Sequence, residues 1–365
     1  MKIAINAWFA DQPATGSGQY TERLLQALRS LAPDWQFAPV APQQNSPLRR
    51  ILGDNLYKLW FEQAAFPRAV RRLGADVAHV PYWGGPMWCG CPVVVTVHDL
   101  IPLRLAEYRA GWRVKAYFQL VSATLRRASV VLTDSEASRR DIAQYLSLPA
   151  EKVRVVYLAA DESYRPQPPE AVDAVRRRLK LPPRYVLYFG GFDCRKNLAA
   201  ALRAFTQAAA EETSVSLVVA GRLPERDTAF APDPRRLAEE AGVRQRTVFT
   251  GWMDEADKPA LYSGAEAMIF PSRYEGFGLP PLEAMACGTP VVASHAGSLP
   301  EIVGDGGLLH DPDDAEGMGR SLLLLLRQPD LRRALAEKAL AQAQRFSWQR
   351  TATETLQAYT QTIGR

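Results

Sequence analysis

Apolar residues follow two alternating patterns along this chain. Short runs rich in β-branched residues, such as 92–97 (PVVVTV) and 129–133 (SVVLT), are typical of buried strands. The stretch 20–29 instead carries apolar residues at every third or fourth position, which favours a helix. Strands and helices alternate in this way through both halves of the sequence. The alternation predicts βαβ units and parallel sheets, and therefore an α/β fold.

The pattern is interrupted at 164–169 (YRPQPP), and a strand–helix order begins again after it. Prolines at this density suit neither a helix nor a central strand, so we interpret the segment as a linker. With 365 residues the chain is long enough for two domains that each have a core. We therefore predict one domain over 1–165 and a second over 170–345.

The stretch 266–295 combines a strand, a loop, a helix and another strand. Consecutive prolines at 280–281 suit the first turn of a helix, where a missing N–H costs nothing. A helix that begins there directs its free N–H groups and the positive end of its dipole at the loop, which creates an anion site. The backbone expected to meet the anion belongs to Phe277, Gly278 and Leu279.

Two glutamates flank this predicted anion site. Glu275 lies just before the helix and Glu283 one turn into it. A sugar nucleotide needs N–H donors for its phosphates and carboxylates for its hydroxyls, and this stretch offers both. Taken alone, the spacing also suits a capped helix with two surface glutamates.

A second candidate phosphate site follows the strand 185–189. Two glycines are followed by the adjacent cations Arg195 and Lys196 at the start of a helix. Cations at a helix N-terminus oppose the helix dipole, so a diphosphate there would compensate them. Arginine binds phosphate in a bidentate way and lysine as a point charge, and the sequence leaves open which one contributes more. The alternative is a solvated Arg–Lys pair.

The first strand, 2–7, leads into Gly16, Ser17 and Gly18, which we predict to form a loop before the helix 20–29. The spacing is not G-x-G-x-x-G, so a dinucleotide site is not supported. A glycine loop after a strand is compatible with phosphate binding and also with a plain connection.

His98 directly follows the strand 92–97. The carboxyl ends of parallel strands are where α/β folds place functional side chains. A histidine with a purely structural role at the end of a strand is the alternative that position alone favours. Asp99 either orients the imidazole or caps the following turn.

Composition and charge are those of an ordinary globular protein, with 47% apolar residues, 23% charged residues and a net charge of +5. That charge is compatible with phosphorylated substrates or an anionic membrane and too small to argue for nucleic acid. We predict a helix over 48–73 with several arginines, which forms a solvated face or a membrane contact. The four cysteines have no framework spacing, and we expect them to be reduced thiols. No long apolar run indicates a signal peptide or a transmembrane helix, so we expect catalysis in the cytoplasm, with any membrane contact peripheral, at the inner face.

The string E-G-F-G-L-P-P-L-E at 275–283, followed by A-M-A-C-G-T-P-V-V, resembles the E-x7-E signature of retaining glycosyltransferase family 4. Further resemblances are G-S-G-Q-Y-T at 16–21, V-T-V-H-D-L-I-P-L at 95–103 and F-S-W at 346–348. The resemblance implies GT-B architecture, with two Rossmann-like domains facing across a cleft. It also implies an acceptor domain first, a nucleotide-sugar donor domain second, and a C-terminal helix over 346–365 that crosses back to the first domain.

The resemblance assigns roles to the candidate residues. It implies that His98 and Glu275 contact the donor sugar, that Glu283 binds the ribose, and that Gly16, Ser17 and Gly18 join Arg195 and Lys196 at the diphosphate. The loop after strand 248–250 lies against the base in the family, which makes Trp252 and Met253 candidates for base binding or for plain core packing. Asp311 and Asp313 form a D-x-D pattern that could bind a metal; helix capping is the simpler explanation.

The function that the resemblance implies is retaining transfer of a hexose, with mannose from GDP-mannose as the first choice. The acceptor would be a glycan, a lipid-linked sugar or a small molecule, and neither a metal nor another cofactor is expected. A donor carrying UDP or dTDP is the alternative within the family. Outside it, the alternatives are a GT-B nucleotide-sugar epimerase and a non-catalytic sensor of nucleotide sugars.

Overall fold

The computed structural model describes residues 1–12, 15–43, 45–108 and 111–363, without the side chains of 106 and 111–115. The chain divides into two compact units. The first comprises Met1–Leu158 and Ser347–Arg365, and the second comprises Ala159–Phe346. The division falls before the predicted linker, so the segment 164–169 belongs to the second unit.

The described residues of the first unit contain a six-stranded sheet with the order β2-β1-β3-β4-β5-β6. Each neighbouring pair is parallel. The strands are β1 (Lys2–Asn6), β2 (Gln36–Val40), β3 (Val77–Val80), β4 (Val93–Thr96), β5 (Val130–Thr133) and β6 (Val153–Val155). Because β1, β3 and β4 are adjacent and parallel, the segments that follow them meet at one edge of the sheet.

Helices connect these strands and pack against the sheet. In chain order they are α1 (Gly16–Leu31), α2 (Pro47–Trp60), α3 (Phe66–Leu73), α4 (Ile101–Arg104), α5 (Gly111–Arg127) and α6 (Glu136–Leu146). The core contains the valines of β3, β4 and β5 together with aromatic residues of the α2–α3 segment. The C-terminal helix, Trp348–Ile363, belongs to this unit, where the Tyr359 hydroxyl lies 2.6 Å from Nδ1 of the buried His79. Residues 364–365 of the segment predicted for this helix lie outside the described residues.

The predicted loop at Gly16, Ser17 and Gly18 is instead the first turn of α1. Thr15 is the N-cap, and its hydroxyl accepts a hydrogen bond from the Gly18 amide at 3.1 Å. A side chain at Gly18 would overlap the Gln12 carbonyl oxygen and lie 2.9 Å from that of Phe9. The sequence therefore needs glycine here for close packing of the preceding loop.

The single helix predicted over 48–73 is wrong. The segment contains α2, a π-helical turn at Phe61–Ala65, and α3, and Gly53 breaks the helical conformation inside α2 with a φ of 68°. Its apolar residues do not share one buried side, because Leu56 is 57% exposed whereas Val70 is buried.

The described residues of the second unit contain a six-stranded sheet with the order β12-β11-β10-β7-β8-β9, and each neighbouring pair is again parallel. The strands are β7 (Tyr185–Phe189), β8 (Ser216–Ala220), β9 (Thr247–Gly251), β10 (Ala267–Phe270), β11 (Val291–Ser294) and β12 (Gly307–His310). The helices are α7 (Pro169–Arg178), α8 (Leu198–Glu211), α9 (Pro234–Glu240), α10 (Lys258–Ser263), α11 (Leu279–Ala286), α12 (Leu299–Val303), α13 (Ala315–Arg327) and α14 (Pro329–Ala343); the C-terminal helix of the first unit is α15. The main core lies between this sheet, α8 and α13.

Candidate functional site

Arg195 and Lys196 lie in a short 3-10 turn, Cys194–Lys196, between the end of β7 and the start of α8. Asn197 then takes a left-handed conformation with a φ of 53°, and α8 begins at Leu198. The turn therefore presents both cations beside the N-terminus of α8, as the sequence predicted. Their side chains are nearly buried, at 11% and 13% exposure, so they do not form a solvated Arg–Lys pair.

Both cations hold the carboxylate of Glu275. One carboxylate oxygen lies 2.7 Å from an Arg195 guanidinium nitrogen and 2.8 Å from the Lys196 Nζ. The same arginine nitrogen donates to the Tyr274 carbonyl oxygen at 2.8 Å. Burial alone would raise the pKa of Glu275, but Lys196 and Arg195 outweigh it and hold the pKa below its usual value. The two cations therefore bind a negatively charged carboxylate, that of Glu275, at this position.

The loop that carries Glu275 is fixed by contacts from the segment after β11. Ser298 donates from both its amide and its hydroxyl to the Glu275 carbonyl oxygen, each at 3.1 Å. Gly297 has a φ of 60°, and a side chain there would overlap the Glu275 carbonyl oxygen. Phe277 is buried with its ring against Phe346. These contacts hold the loop in one shape.

Helix α11 begins directly after this loop. Gly278, with a φ of 106°, turns the chain into Leu279, the first residue of α11. The prolines occupy the first turn, as predicted. The N-terminus of α11 thus follows the loop that the two cations bind through Glu275.

Glu283, in α11, has a different set of partners. Its carboxylate accepts a hydrogen bond from the Tyr262 hydroxyl at 2.8 Å. The pKa of Glu283 is raised to about 7, chiefly because the side chain is buried. Lys258 opposes this rise in the pKa, and Glu255 adds to it. A carboxylate with these partners can accept hydrogen bonds from hydroxyl groups, and its charge changes near neutral pH.

Trp252 and Met253 follow β9 and differ in their exposure. The Trp252 side chain is 58% exposed, whereas Met253 is buried at 4%. Trp252 therefore offers a free ring face to a ligand, and Met253 packs inside the second unit.

In the first unit, His98 lies just beyond the end of β4 and is held at both ring nitrogens. Nδ1 is 2.7 Å from a carboxylate oxygen of Asp134, and Nε2 is 3.1 Å from the Pro81 carbonyl oxygen. The Tyr20 ring of α1 packs edge-on against the imidazole at 4.7 Å. Since both partners can only accept, His98 satisfies them when both nitrogens carry protons. Burial alone would lower the pKa of His98, but Asp134 and the Pro81 carbonyl raise it above its usual value.

Comparison with known proteins identifies the family. The family model for glycosyl transferases group 1 matches residues 173–342, and that for glycosyltransferase family 4 matches residues 14–164. O-antigen chain mannosyltransferase B from Escherichia coli is 35% identical over 269 residues, which cover 73% of this chain and 69% of that protein. The chain belongs to glycosyltransferase family 4.

A second relative agrees with this assignment, and a solved structure shares the fold. The serotype-specific mannosyltransferase WbdA from Escherichia coli is 30% identical over 74% of this chain, which corresponds to only 33% of that protein. Sucrose-phosphate synthase from Thermosynechococcus elongatus superimposes with a TM-score of 0.79 at 22% identity, over 100% of this chain and 99% of that one. The predicted GT-B architecture with two Rossmann-like domains is therefore confirmed, and this family 4 glycosyltransferase is a hexosyltransferase.

Asp134 holds the candidate residue His98 in this glycosyltransferase, a contact that the sequence did not identify. The Asp99 carboxylate accepts a hydrogen bond from the Ile101 amide at 3.0 Å, as a cap of the following turn does. The carboxylate that orients His98 comes from the end of β5, the strand next to β4. The only signal in the sequence was an acidic residue at the carboxyl end of a predicted strand.

The acidic residues 311–314 of the glycosyltransferase are engaged in local contacts. Asp313 pairs with Arg273 at 2.8 Å, and Asp314 accepts from the Gly317 amide at 2.8 Å as the cap of α13. Among the described residues there is no group of three or more histidine, cysteine or acidic side chains that could hold a metal ion. Within the same part of the chain, no helix is long and apolar enough to cross a membrane.

Proposed function

We propose that this glycosyltransferase transfers mannose from GDP-mannose, with retention, to a hydroxyl group of a glycan or lipid-linked acceptor, and that it needs no metal. Two relatives with a mannosyltransferase name support the choice of sugar. The observation that carries the proposal is the nearly buried group of Arg195, Lys196 and Glu275. It supplies two positive charges for a diphosphate without a metal ion.

The two cations stabilise the diphosphate as it leaves. When the bond between the anomeric carbon and the phosphate oxygen breaks, negative charge develops on that oxygen, and fixed donors at this position lower the barrier. In the donor complex the diphosphate replaces the Glu275 carboxylate on the cations, and Glu275 accepts hydrogen bonds from the sugar hydroxyls. Glu283 accepts hydrogen bonds from the ribose, and the exposed Trp252 ring lies against the base.

Retention follows when the acceptor attacks the face that the phosphate leaves. The acceptor oxygen bonds to the anomeric carbon, and the acceptor proton moves to the departing phosphate oxygen, so no enzyme carboxylate forms a covalent intermediate. Asp134 holds Nδ1 of His98, and in the donor complex the Nε2–H turns from the Pro81 carbonyl oxygen to donate a hydrogen bond to the transferred sugar.

The enzyme is also proposed to contact an anionic membrane through α2. Ile51 is 79% exposed and Leu56 57% exposed on this helix, and the neighbouring Arg50 is also exposed. Helices that lie at a membrane surface typically combine exposed apolar side chains with neighbouring basic residues.

A thermal-shift screen tests the choice of donor. GDP-mannose, GDP, UDP-glucose, UDP-galactose and dTDP-glucose are added separately, each with and without EDTA. We expect GDP and GDP-mannose to raise the melting temperature, and each compound to do so by the same amount with and without EDTA. Stabilisation by UDP or dTDP compounds alone would overturn the choice of GDP. Stabilisation that EDTA abolishes would overturn metal independence.

A further inference from the structure

A group of buried polar side chains lies at the carboxyl edge of the first sheet. Asn6 ends β1, and Tyr82 lies two residues beyond the end of the adjacent β3. Glu62 comes from the π-helical turn and Tyr117 from α5. Four separate elements therefore bring an amide, a carboxylate and two phenols to one place; we call these four residues the Glu62 cluster.

Each member of the Glu62 cluster has a buried atom without a hydrogen bond of ordinary geometry within the described residues, although the Tyr82 hydroxyl interacts with the side chains of Asn6 and Glu62. These atoms are Asn6 Nδ2, Glu62 Oε1, the Tyr82 hydroxyl and the Tyr117 hydroxyl. A buried polar atom without a partner costs about 1–3 kcal/mol, and native proteins contain few of them. Four atoms concentrated at one position are therefore not explained by the stability of the fold, and a polar ligand would satisfy them.

Two members of the cluster, Glu62 and Tyr117, lie close to Gly84. A side-chain carbon at Gly84 would lie 3.4 Å from the Tyr117 hydroxyl and 3.9 Å from Glu62 Oε2. The φ of Gly84 is 80°, which favours glycine for its conformation, whereas the two distances are ordinary van der Waals contacts. Burial together with the Glu62 carboxylate raises the pKa of both Tyr82 and Tyr117. The carboxylate thus lies within electrostatic reach of both phenols.

Lys58 and several aromatic rings surround the cluster. The Lys58 Nζ lies 4.7 Å from the centre of the Tyr82 ring, 5.0 Å from that of Phe9 and 3.8 Å from Glu62 Oε1. The last distance is too long for a hydrogen bond. Phe9, Lys58, Trp83 and Tyr117 are each partly exposed, so they form a rim between solvent and the buried atoms. Aromatic walls with a few placed polar groups are typical of a small-molecule site.

The π-helical turn that carries Glu62 is anchored to the segment after β3. Gln63 donates to the Gly85 carbonyl oxygen at 3.1 Å and accepts from the Met87 amide at 2.9 Å. π-Helical turns insert an extra residue into a helix and occur frequently at functional positions. Here the turn directs Glu62 into the interior, where it is 1% exposed. Burial raises its pKa to about 7 despite the nearby Lys58.

The Glu62 cluster also adjoins His98. The Pro81 carbonyl oxygen, which His98 Nε2 contacts at 3.1 Å, directly precedes Tyr82 in the chain. The backbone that carries Tyr82 is therefore joined directly to the residue that contacts His98, which is assigned to the transferred sugar.

We propose that the Glu62 cluster binds the sugar ring of the acceptor. Glu62 accepts hydrogen bonds from ring hydroxyls, Asn6 donates to a hydroxyl oxygen, and the two phenols donate or accept as each hydroxyl requires. The Lys58 ammonium group either moves away from Glu62 or donates a hydrogen bond to a hydroxyl of the acceptor. The aromatic rim contacts the apolar face of the sugar ring. This rests on the proposed function, because the position of the acceptor matters only for a transferase.

Binding without a donor gives the first test. Saturation-transfer NMR is recorded with the methyl α-glycosides of mannose, glucose, galactose and N-acetylglucosamine. We expect signals from at least one of them, reduced at least fivefold in Tyr117→Phe and in Glu62→Gln. Tyr145→Phe, which alters an exposed tyrosine of α6, should leave them unchanged. Absence of signal from all four glycosides, or equal signals in all variants, would overturn the proposal.

Kinetics with the binding glycoside gives the second test. In Tyr117→Phe we expect KM for the acceptor to rise about tenfold while hydrolysis of the sugar nucleotide stays within twofold, since one hydrogen bond to the acceptor is lost. Tyr117 is partly exposed, so this variant remains informative if Glu62→Gln does not fold. Equal loss of hydrolysis and transfer would contradict a role in acceptor binding. The NMR experiment uses no donor, so a wrong choice of GDP-mannose leaves its result unaffected.

Discussion

Lys196 and Arg195 contact the same carboxylate oxygen of Glu275, and this contact determines how each charge can be tested. Removing Lys196 leaves Arg195 to hold Glu275, so the loop keeps one of its two cationic anchors. Removing Arg195 also deletes the hydrogen bond to the Tyr274 carbonyl oxygen. Lys196 is therefore the better position at which to separate catalysis from folding.

We expect Lys196→Ala to lower kcat by about 100- to 1000-fold with little change in melting temperature, because a fixed charge at the leaving diphosphate is lost. The control is Lys338→Ala, which alters an exposed lysine of α14. Steady-state transfer kinetics and a thermal melt give the comparison. A Lys196→Ala enzyme with turnover close to that of the control would rule out the phosphate role.

Glu283 should make donor affinity depend on pH. Burial raises its pKa to about 7, so the free enzyme carries a neutral carboxyl below that pH and a carboxylate above it. The ionised carboxylate accepts hydrogen bonds from ribose hydroxyls more strongly than the neutral carboxyl does. Affinity should therefore rise as pH increases from 6 to 8, by up to about tenfold per pH unit below 7, and then level off.

Calorimetric titration of GDP-mannose at pH 6, 7 and 8 measures this dependence. Glu283→Gln cannot ionise, so the variant should bind more weakly at pH 8 and lose that part of the pH dependence. The same slope in both proteins would exclude Glu283 as its source.

The sequence placed three of these residues in one site. Arg195, Lys196 and Glu275 were assigned to one site through sequence patterns that lie far apart in the chain, and the structure joins them by two ion pairs. Asp134 was missed because its contact with His98 depends on the adjacency of β4 and β5, which no local pattern encodes. The Glu62 cluster was missed for the same reason, since its residues come from four elements.

At the scale of elements, the loop before α11 depends on a close contact with Gly297. Gly297→Ala places a methyl group against the Glu275 backbone at a positive φ, so the loop must shift. We expect a loss of about 1–3 kcal/mol in stability and a marked loss of transfer activity.

Gly242→Ala is the matched control for this substitution. Gly242 has a φ of 71°, but nothing lies within 4 Å of the position that its methyl group would occupy. It therefore carries the conformational cost without the contact. Chemical denaturation and transfer assays compare the two variants, and an equal effect in both would show that the contact with Glu275 is unimportant.

The exposed apolar residues of α2 make a separate prediction about membranes. The double variant Ile51→Ser and Leu56→Ser should reduce cosedimentation with vesicles of phosphatidylglycerol and phosphatidylcholine at least fivefold, because two exposed apolar side chains are removed. Leu324→Ser, at an exposed leucine of α13, is the control. Binding that is unchanged in the double variant, or absent in the parent protein, would refute contact through α2.

Element boundaries were predicted unevenly for physical reasons. The periodic helices and the valine-rich strands were found because local pattern and burial agree. The glycines at 16 and 18 predict a loop because glycine usually disfavours helices, whereas a Thr15 cap begins α1 there. The break at Gly53 was missed because the surrounding apolar spacing continues through it, and edge strand β2 (QFAPV) was missed because it contains a proline and only Phe37 is buried.

At the scale of the whole molecule, two units with parallel sheets were predictable from repeated strand–helix alternation, although not the number of strands in each sheet. The assignment of the C-terminal helix was not, because its contacts with the first unit join residues far apart in sequence; only the family resemblance suggested it. The bond between Tyr359 and His79 illustrates such a contact. The GT-B architecture is thus determined by the pattern of the whole chain, whereas the specificity for the donor sugar and for the acceptor depends on individual side chains.

The stereochemistry and origin of the product test the central claim most directly. The enzyme is incubated with EDTA, a binding methyl glycoside and either GDP-α-mannose, UDP-α-glucose or dTDP-α-glucose, and proton NMR identifies the new anomeric centre. We predict an α-mannoside from GDP-mannose and no product from the other two donors. A β-linked product, or a glycoside formed only from UDP-glucose or dTDP-glucose, would contradict retaining mannosyl transfer from GDP-mannose.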